Sequence, residues 1–130
     1  MDKRLFAREK VELLGLFYIQ EAELGRSEFS GTVTDVCEIG FSFKVTDEKY
    51  YPLLENVVPG TVLRFYFGEE IEYFHELKRH EIIGKATVIW AEEREGCFCY
   101  GCKTMKMYSA LEKYVSEKKT ISFIKRGCNL

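Results

Sequence analysis

The chain has 130 residues, 46% of them hydrophobic and 31% charged, which is the composition of a folded domain and not of a disordered chain. Its 19 basic and 21 acidic residues leave a formal net charge of −2, which argues against a protein that coats duplex DNA or RNA. No apolar stretch reaches the roughly 20 residues of a membrane span, and no secretory signal is recognisable. The five cysteines, an odd number, then predict reduced thiols and a cytoplasmic location.

Apolar and polar residues alternate along most of the chain, which predicts β-strands that bury one face. The predicted strands cover residues 11–19, 29–36, 41–46, 63–67, 82–90 and 98–102. Pro59-Gly60 predicts a turn, and residues 69–80 fit either a short helical turn or a polar hairpin.

A helix is predicted near the C-terminus. Ser109 and Glu112 form a capping-box pattern, and Leu111, Tyr114 and Val115 follow at helical spacing. We expect about ten helical residues here, followed from residue 118 by an added strand or a loose end. Several short strands and one helix predict a mainly all-β domain, a small antiparallel barrel closed by a helix.

The first chemical motif is Arg4-x-x-x-Arg8. Residues four apart share a face in a helix and in a strand, so both guanidinium groups can address one ligand. A guanidinium group binds phosphate oxygens in a bidentate manner, and it also binds the edge or stacks on the face of guanine. Taken alone, the motif is more typical of a solvated tail with two surface arginines.

The second motif runs from Asp35 to Gly40. A carboxylate can accept hydrogen bonds from N1–H and N2–H of guanine at once. Asp35 and Cys37 lie on one side of a strand end, and Gly40 permits a positive φ or a close backbone approach. Taken alone, this motif fits an ordinary strand–turn–strand in which the aspartate caps the turn.

Together the motifs resemble the signature of PilZ domains, which are receptors for the second messenger cyclic di-GMP. That signature is Arg-x-x-x-Arg followed further along the chain by Asp/Asn-x-Ser-x-x-Gly. Arg4 and Arg8 match its first part, Asp35 and Gly40 match its second part, and Cys37 stands where the family usually has serine. The resemblance extends over roughly residues 3–116 and includes the Pro59-Gly60 turn, the strand at 84–90, the Tyr100-Gly101 pair and the helix after Ser109.

The resemblance implies a six-stranded antiparallel PilZ-like β-barrel with a C-terminal α-helix, and it implies a role for each site residue. Arg4 and Arg8 would grip phosphate and guanine, Asp35 would read a guanine edge, and Cys37 and Gly40 would line the base pocket. Lys3 is basic, and in the family a long basic residue at that place accompanies binding of an intercalated ligand dimer.

We therefore expect a stand-alone cyclic di-GMP receptor. Residues 1–10 would be a flexible arginine switch, residues 11–118 the barrel and helix, and residues 119–130 a tail. Without ligand, the cations of the switch would lack partners, and the ligand phosphates would provide the opposite charge. Ordering of the switch would signal in trans to an unidentified effector protein. Motility, exopolysaccharide export and surface attachment are the outputs that the family suggests.

Two alternatives remain open. One is a PilZ-like interaction module that has lost nucleotide binding. The other is a small thiolate metal protein built on Cys97-x-Cys99-x-x-Cys102, although Cys102 should face away from the other two in a strand. No catalytic constellation is recognisable, so we expect neither an enzyme nor a cofactor. Trp90 and Tyr100 are expected in the barrel core.

Overall fold

The computed structural model describes residues 7–20, 27–73 and 75–128. Six strands are followed by one long helix, with two short helical turns between the third and fourth strands. The elements are β1 (Glu9–Ile19), β2 (Glu28–Cys37), β3 (Gly40–Val45), a 3₁₀ turn (Glu48–Tyr50) continuing into α1 (Tyr51–Leu54), β4 (Val62–Tyr73), β5 (Glu76–Arg94), β6 (Cys97–Thr104) and α2 (Ser109–Cys128).

The strands form a closed barrel in the order β1-β2-β3-β6-β5-β4, and each strand is antiparallel to both neighbours. The expected six-stranded antiparallel barrel with a C-terminal helix is confirmed. Alternate residues of each strand point inwards, and the barrel interior is filled by aromatic rings. Phe17 stacks on Phe43 with ring centroids 4.0 Å apart, and Phe43 in turn stacks on Tyr100.

The segment between β4 and β5 is a long hairpin, so the hairpin alternative for residues 69–80 is confirmed. The two strands pair from Val62 with Thr87 to Tyr73 with Glu76. His75 lies in the turn with a φ of 66°, a left-handed conformation that is uncommon outside glycine.

The apolar stripe of α2 is buried as predicted, because Leu111, Tyr114 and Val115 are each 0% exposed. The predicted length of about ten residues was wrong, since α2 has 20 residues and ends at Cys128. The expectation of an added strand or a loose end from residue 118 was wrong as well, because residues 118–128 continue the helix. Its second half continues because it has partners on the barrel: Lys119 binds Glu38, and Ile121 packs against the core cluster. Within the described residues, no helix combines the length and apolar character needed to cross a membrane.

Candidate functional site

The two sequence motifs meet at one contact. Arg8 Nη1 donates to Asp35 Oδ1 at 3.1 Å, across 27 residues of sequence. Both side chains are partly exposed, at 30% for Arg8 and 24% for Asp35, so a solute can reach them. Arg8 and Asp35, which belong to separate sequence motifs, are therefore in contact on the outside of the barrel.

Ser42 is the third member of this contact, and the motifs did not include it. Its Oγ accepts a hydrogen bond of 2.8 Å from the same Arg8 Nη1. Ser42 pairs directly with Asp35 across β2 and β3, and the residue is only 5% exposed. Arg8, which was expected to depend on the ligand for a partner, is thus held by a carboxylate and a hydroxyl.

A β-bulge in β2 turns Asp35 outwards. Val33 is buried in the core, and strict alternation would point Asp35 inwards as well. Thr34, however, is an extra residue between the pairs Val33–Phe43 and Asp35–Ser42. This inserted residue shifts the alternation by one, so Asp35 faces outwards and Val36 takes the core position.

A second bulge, in β5, turns Trp90 to the outside of the barrel. Ile89 is the extra residue between the pairs Val88–Cys102 and Trp90–Gly101, and Val88 is buried. A Cβ at Gly101 would lie 2.0 Å from Trp90 Nε1, so the indole lies directly over this glycine. Gly101 is also the partner of Ser42 across β3 and β6.

Four consecutive cross-strand partners therefore lie on the outside of the barrel, and we call them the outer row: Asp35, Ser42, Gly101 and Trp90. The expectation that Trp90 belongs to the core was wrong, while Tyr100 is a core residue at 1% exposure. The Trp90 indole lies against Gly101, and the guanidinium carbon of Arg94 lies over its ring, 5.6 Å from the centroid.

Exposed lysines surround this row. Lys10 pairs with Asp35, Lys44 follows Ser42 by two residues on β3, and Lys103 pairs with Gly40. All three are exposed, and their positive charge around Arg8 makes this part of the surface basic in a chain whose net charge is −2. A local patch of this kind favours a small anion.

Gly40 is required for close packing and not for a special φ angle. A Cβ at this position would lie 2.2 Å from the Cys102 carbonyl oxygen, so β3 and β6 could not approach as they do. Cys37 lies two residues after Asp35 and is 7% exposed, although it does not belong to the core cluster. Of the other predicted site residues, Lys3 and Arg4 lie outside the described residues.

Helix α2 contacts the chain next to both motifs. Lys119 Nζ donates to Glu38 Oε1 at 2.9 Å, and Glu38 belongs to the second motif. Ser122 Oγ donates to Glu9 Oε2 at 3.2 Å, and Glu9 follows Arg8 directly. The second half of α2 therefore bridges the two segments that hold Arg8 and Asp35.

The three cysteines of β6 do not come together. Cys102 is in the core cluster, and burial raises the pKa of its thiol to about 12, so it stays protonated. Cys97 and Cys99 are partly exposed on the other face of the strand. Over residues 7–20, 27–73 and 75–128, no group of three or more Cys, His, Asp or Glu side chains could hold a metal ion.

An open groove of about 1100 Å³ lies on a different part of the barrel, around the end of β1 and the starts of β2 and β4. Its walls include Leu16, Tyr18, Tyr50, Leu53 and Tyr66. None of the predicted site residues lines it.

The fold is that of a PilZ-like barrel. Among solved structures, the chain is similar to the inhibitor of motility MotI/DgrA from Bacillus subtilis, with a TM-score of 0.64 and 13% identity over 92% of this chain and 53% of that one. It is also similar to the PilZ domain with c-di-GMP of YcgR from Escherichia coli, with a TM-score of 0.63 and 9% identity over 97% of this chain and 95% of that one. This chain thus spans about half the length of the Bacillus protein and nearly the whole length of the YcgR domain. No family model matches the sequence, and no curated protein matches it.

Proposed function

We propose that this protein is a receptor for cyclic di-GMP. The observation that carries the proposal is the contact between Arg8 and Asp35, because it places a cation able to bind phosphate and a carboxylate able to accept from guanine at one partly exposed position. The PilZ domain of YcgR, a structural neighbour of this chain, is described with c-di-GMP.

Binding would proceed by exchange of partners. A phosphate oxygen competes with Asp35 and Ser42 for the Arg8 guanidinium group, because an arginine–phosphate pair is charge-assisted and bidentate. Once released, the Asp35 carboxylate can accept from N1–H and N2–H of guanine. The lysines at 10, 44 and 103 supply positive charge. Arg4, Lys3, Cys37 and Gly40 keep the roles that the family resemblance implies.

The N-terminal segment would transmit ligand binding to an effector protein. Release of Arg8 from Asp35 changes the path of residues 1–10, and ligand phosphates order this segment in a new position. An effector protein then binds the rearranged surface in trans. One structural neighbour is described as an inhibitor of motility, which supports motility as the first output to test.

Calorimetric titration with cyclic di-GMP tests the proposal. The wild-type chain should bind with measurable heat at ligand concentrations up to about 100 μM. Arg8→Ala should weaken binding by about 10- to 100-fold, because hydrogen bonds to a charged group contribute about 1.5–3 kcal/mol each. Arg4→Ala should weaken it similarly.

The matched control is Arg64→Ala, which removes the same charge from an exposed position of β4. This variant should bind like the wild type. Absence of heat with the wild-type chain, or equal losses in Arg8→Ala and Arg64→Ala, would contradict the proposal.

A PilZ-like interaction module without nucleotide binding is the second candidate. Two observations favour it: Arg8 already has two partners, and Cys37, at the family's serine position, is buried. Under this reading the titration gives no heat, and Arg8→Ala changes only stability.

A further inference from the structure

One side of the barrel exposes apolar side chains in a continuous row. Leu16 pairs with Tyr66 across β1 and β4, and Tyr66 pairs with Ile83 across β4 and β5. We call these three residues the apolar row. Leu16 is 49% exposed and Ile83 is 64% exposed, whereas the outward positions of an antiparallel sheet are usually polar. A contiguous apolar surface of this kind is typical of a protein–protein contact.

The two sides of the apolar row carry opposite charge. Two residues further along the strands in one direction, Arg64 pairs with Lys85, and neither cation forms a salt bridge with any residue that the structure describes. In the other direction lie the exposed carboxylates of Glu81 and Glu70. Both pair with Arg79, at 3.1 Å and 3.8 Å, so one negative charge is left uncompensated there.

This arrangement of charge is complementary to a second copy of itself. Two such surfaces can face each other about a two-fold axis that runs parallel to the apolar row. That operation reverses the strand direction and keeps the position of each strand, so the apolar row faces its own copy. Lys85 of each copy then faces Glu81 of the other copy. An axis parallel to the strands would instead place the basic pairs against each other.

We propose that this protein self-associates as a symmetric dimer through the outer surface of β1, β4 and β5. Burial of Leu16, Tyr66 and Ile83 against their own copies supplies the attraction, and the contacts between the basic and acidic sides fix the orientation. Asp35 and Ser42 lie on β2 and β3, outside this surface, so the dimer does not depend on the proposed nucleotide binding.

Sedimentation equilibrium of the full chain at rising concentration tests the proposal. The mass should rise from 15.2 kDa towards twice that value by about 300 μM, the range in which small interfaces associate. Ile83→Glu should weaken self-association at least about tenfold, because it places like charges opposite each other in the apolar row. The matched control is Ile89→Glu, the same substitution at a 53% exposed position of β5 outside the apolar row, which should dimerise like the wild type.

Charge reversal tests the orientation. Lys85→Glu and Glu81→Lys should each weaken self-association at least about tenfold, because each variant places like charges face to face at two points of the dimer. An equimolar mixture of the two variants should form a one-to-one heterodimer, since a carboxylate again faces an ammonium group at both points. Circular dichroism checks that every variant is folded.

Three outcomes would overturn the proposal. The wild-type chain could stay at 15.2 kDa throughout the concentration range. Ile83→Glu and Ile89→Glu could associate equally, or the mixture of Lys85→Glu and Glu81→Lys could remain monomeric.

Discussion

At the scale of single residues, two glycines leave room for the outer row. Gly40 lets the backbone of β3 approach the Cys102 carbonyl, and Gly101 makes space for the indole of Trp90. An atom as small as Cβ would be too close in either place, at 2.2 Å from the carbonyl oxygen and 2.0 Å from the indole nitrogen. The indole can move aside, whereas the carbonyl of a central strand cannot.

Gly40→Ala should therefore destabilise the barrel. The added Cβ forces β3 and β6 apart, and overpacking of this kind costs about 1–3 kcal/mol of unfolding free energy. Urea unfolding measures the change. Ser116→Ala, on an exposed position of α2, should stay within about 0.5 kcal/mol of the wild type. Equal stability of the two variants would show that β3 and β6 do not need this glycine.

The sequence predicted Arg8 and Asp35 because their residue types and spacing are visible without coordinates. Ser42 and Trp90 could not be predicted in the same way. Strict alternation counted along β2 and β5 points Asp35 and Trp90 inwards, and only the extra residues Thr34 and Ile89 reverse this. A bulge has no reliable signature in a single sequence, so the row that these residues share could not be anticipated.

At the scale of elements, α2 is attached to the barrel by polar contacts as well as by its apolar stripe. Tyr114 is 0% exposed, and its hydroxyl donates to Glu69 Oε2. Lys118 Nζ donates to the other carboxylate oxygen, Glu69 Oε1, at 3.3 Å. His80 and Glu117 form a further contact of 2.5 Å. Burial, together with the Glu69 carboxylate, raises the pKa of Tyr114, so its hydroxyl remains a donor.

Glu69→Ala should destabilise the protein by about 1–3 kcal/mol, because it leaves a buried hydroxyl without its partner. Glu70→Ala is the matched control: it removes an exposed carboxylate from the next position, whose pair with Arg79 spans 3.8 Å, and should cost at most about 1 kcal/mol. Chemical denaturation compares the two. Tyr114→Phe in the Glu69→Ala background should recover part of the loss, and a further decrease instead would argue against the orphaned hydroxyl as its cause.

The start of α2 was predictable and its end was not. The capping residues and the apolar stripe lie within the helix itself, so local sequence indicated them. The second half is supported by Glu38 and Glu9, which are more than 80 residues away in the chain. Its length depends on tertiary partners that no local pattern contains.

At the scale of the whole molecule, the barrel and α2 should unfold as one unit. The helix bridges the two segments of the candidate site, and the core cluster includes residues from all six strands and from α2. Trp90, the single tryptophan of the chain, reports on the outer row, while circular dichroism in the far ultraviolet includes the helix.

The two signals should therefore give the same melting temperature. Cyclic di-GMP at about 100 times its Kd should stabilise the folded state by about 2.7 kcal/mol and raise both transitions by roughly 10 °C. In Arg8→Ala the shift should disappear. A ligand shift seen by tryptophan fluorescence alone would mean that the site and the helix unfold separately.

The bulge at Thr34 has a consequence for recognising chains of this kind. If Thr34 were paired regularly instead of bulged, the letters from Asp35 to Gly40 would be unchanged, yet Asp35 would face the same side as Val33 and its carboxylate would point into the barrel interior. Two chains could then share every letter of both motifs while only one of them could present an acid to solvent. Comparing relatives therefore requires knowing whether the residue between the core position Val33 and the acid is bulged or regularly paired, since this decides whether the acid faces solvent or the barrel interior.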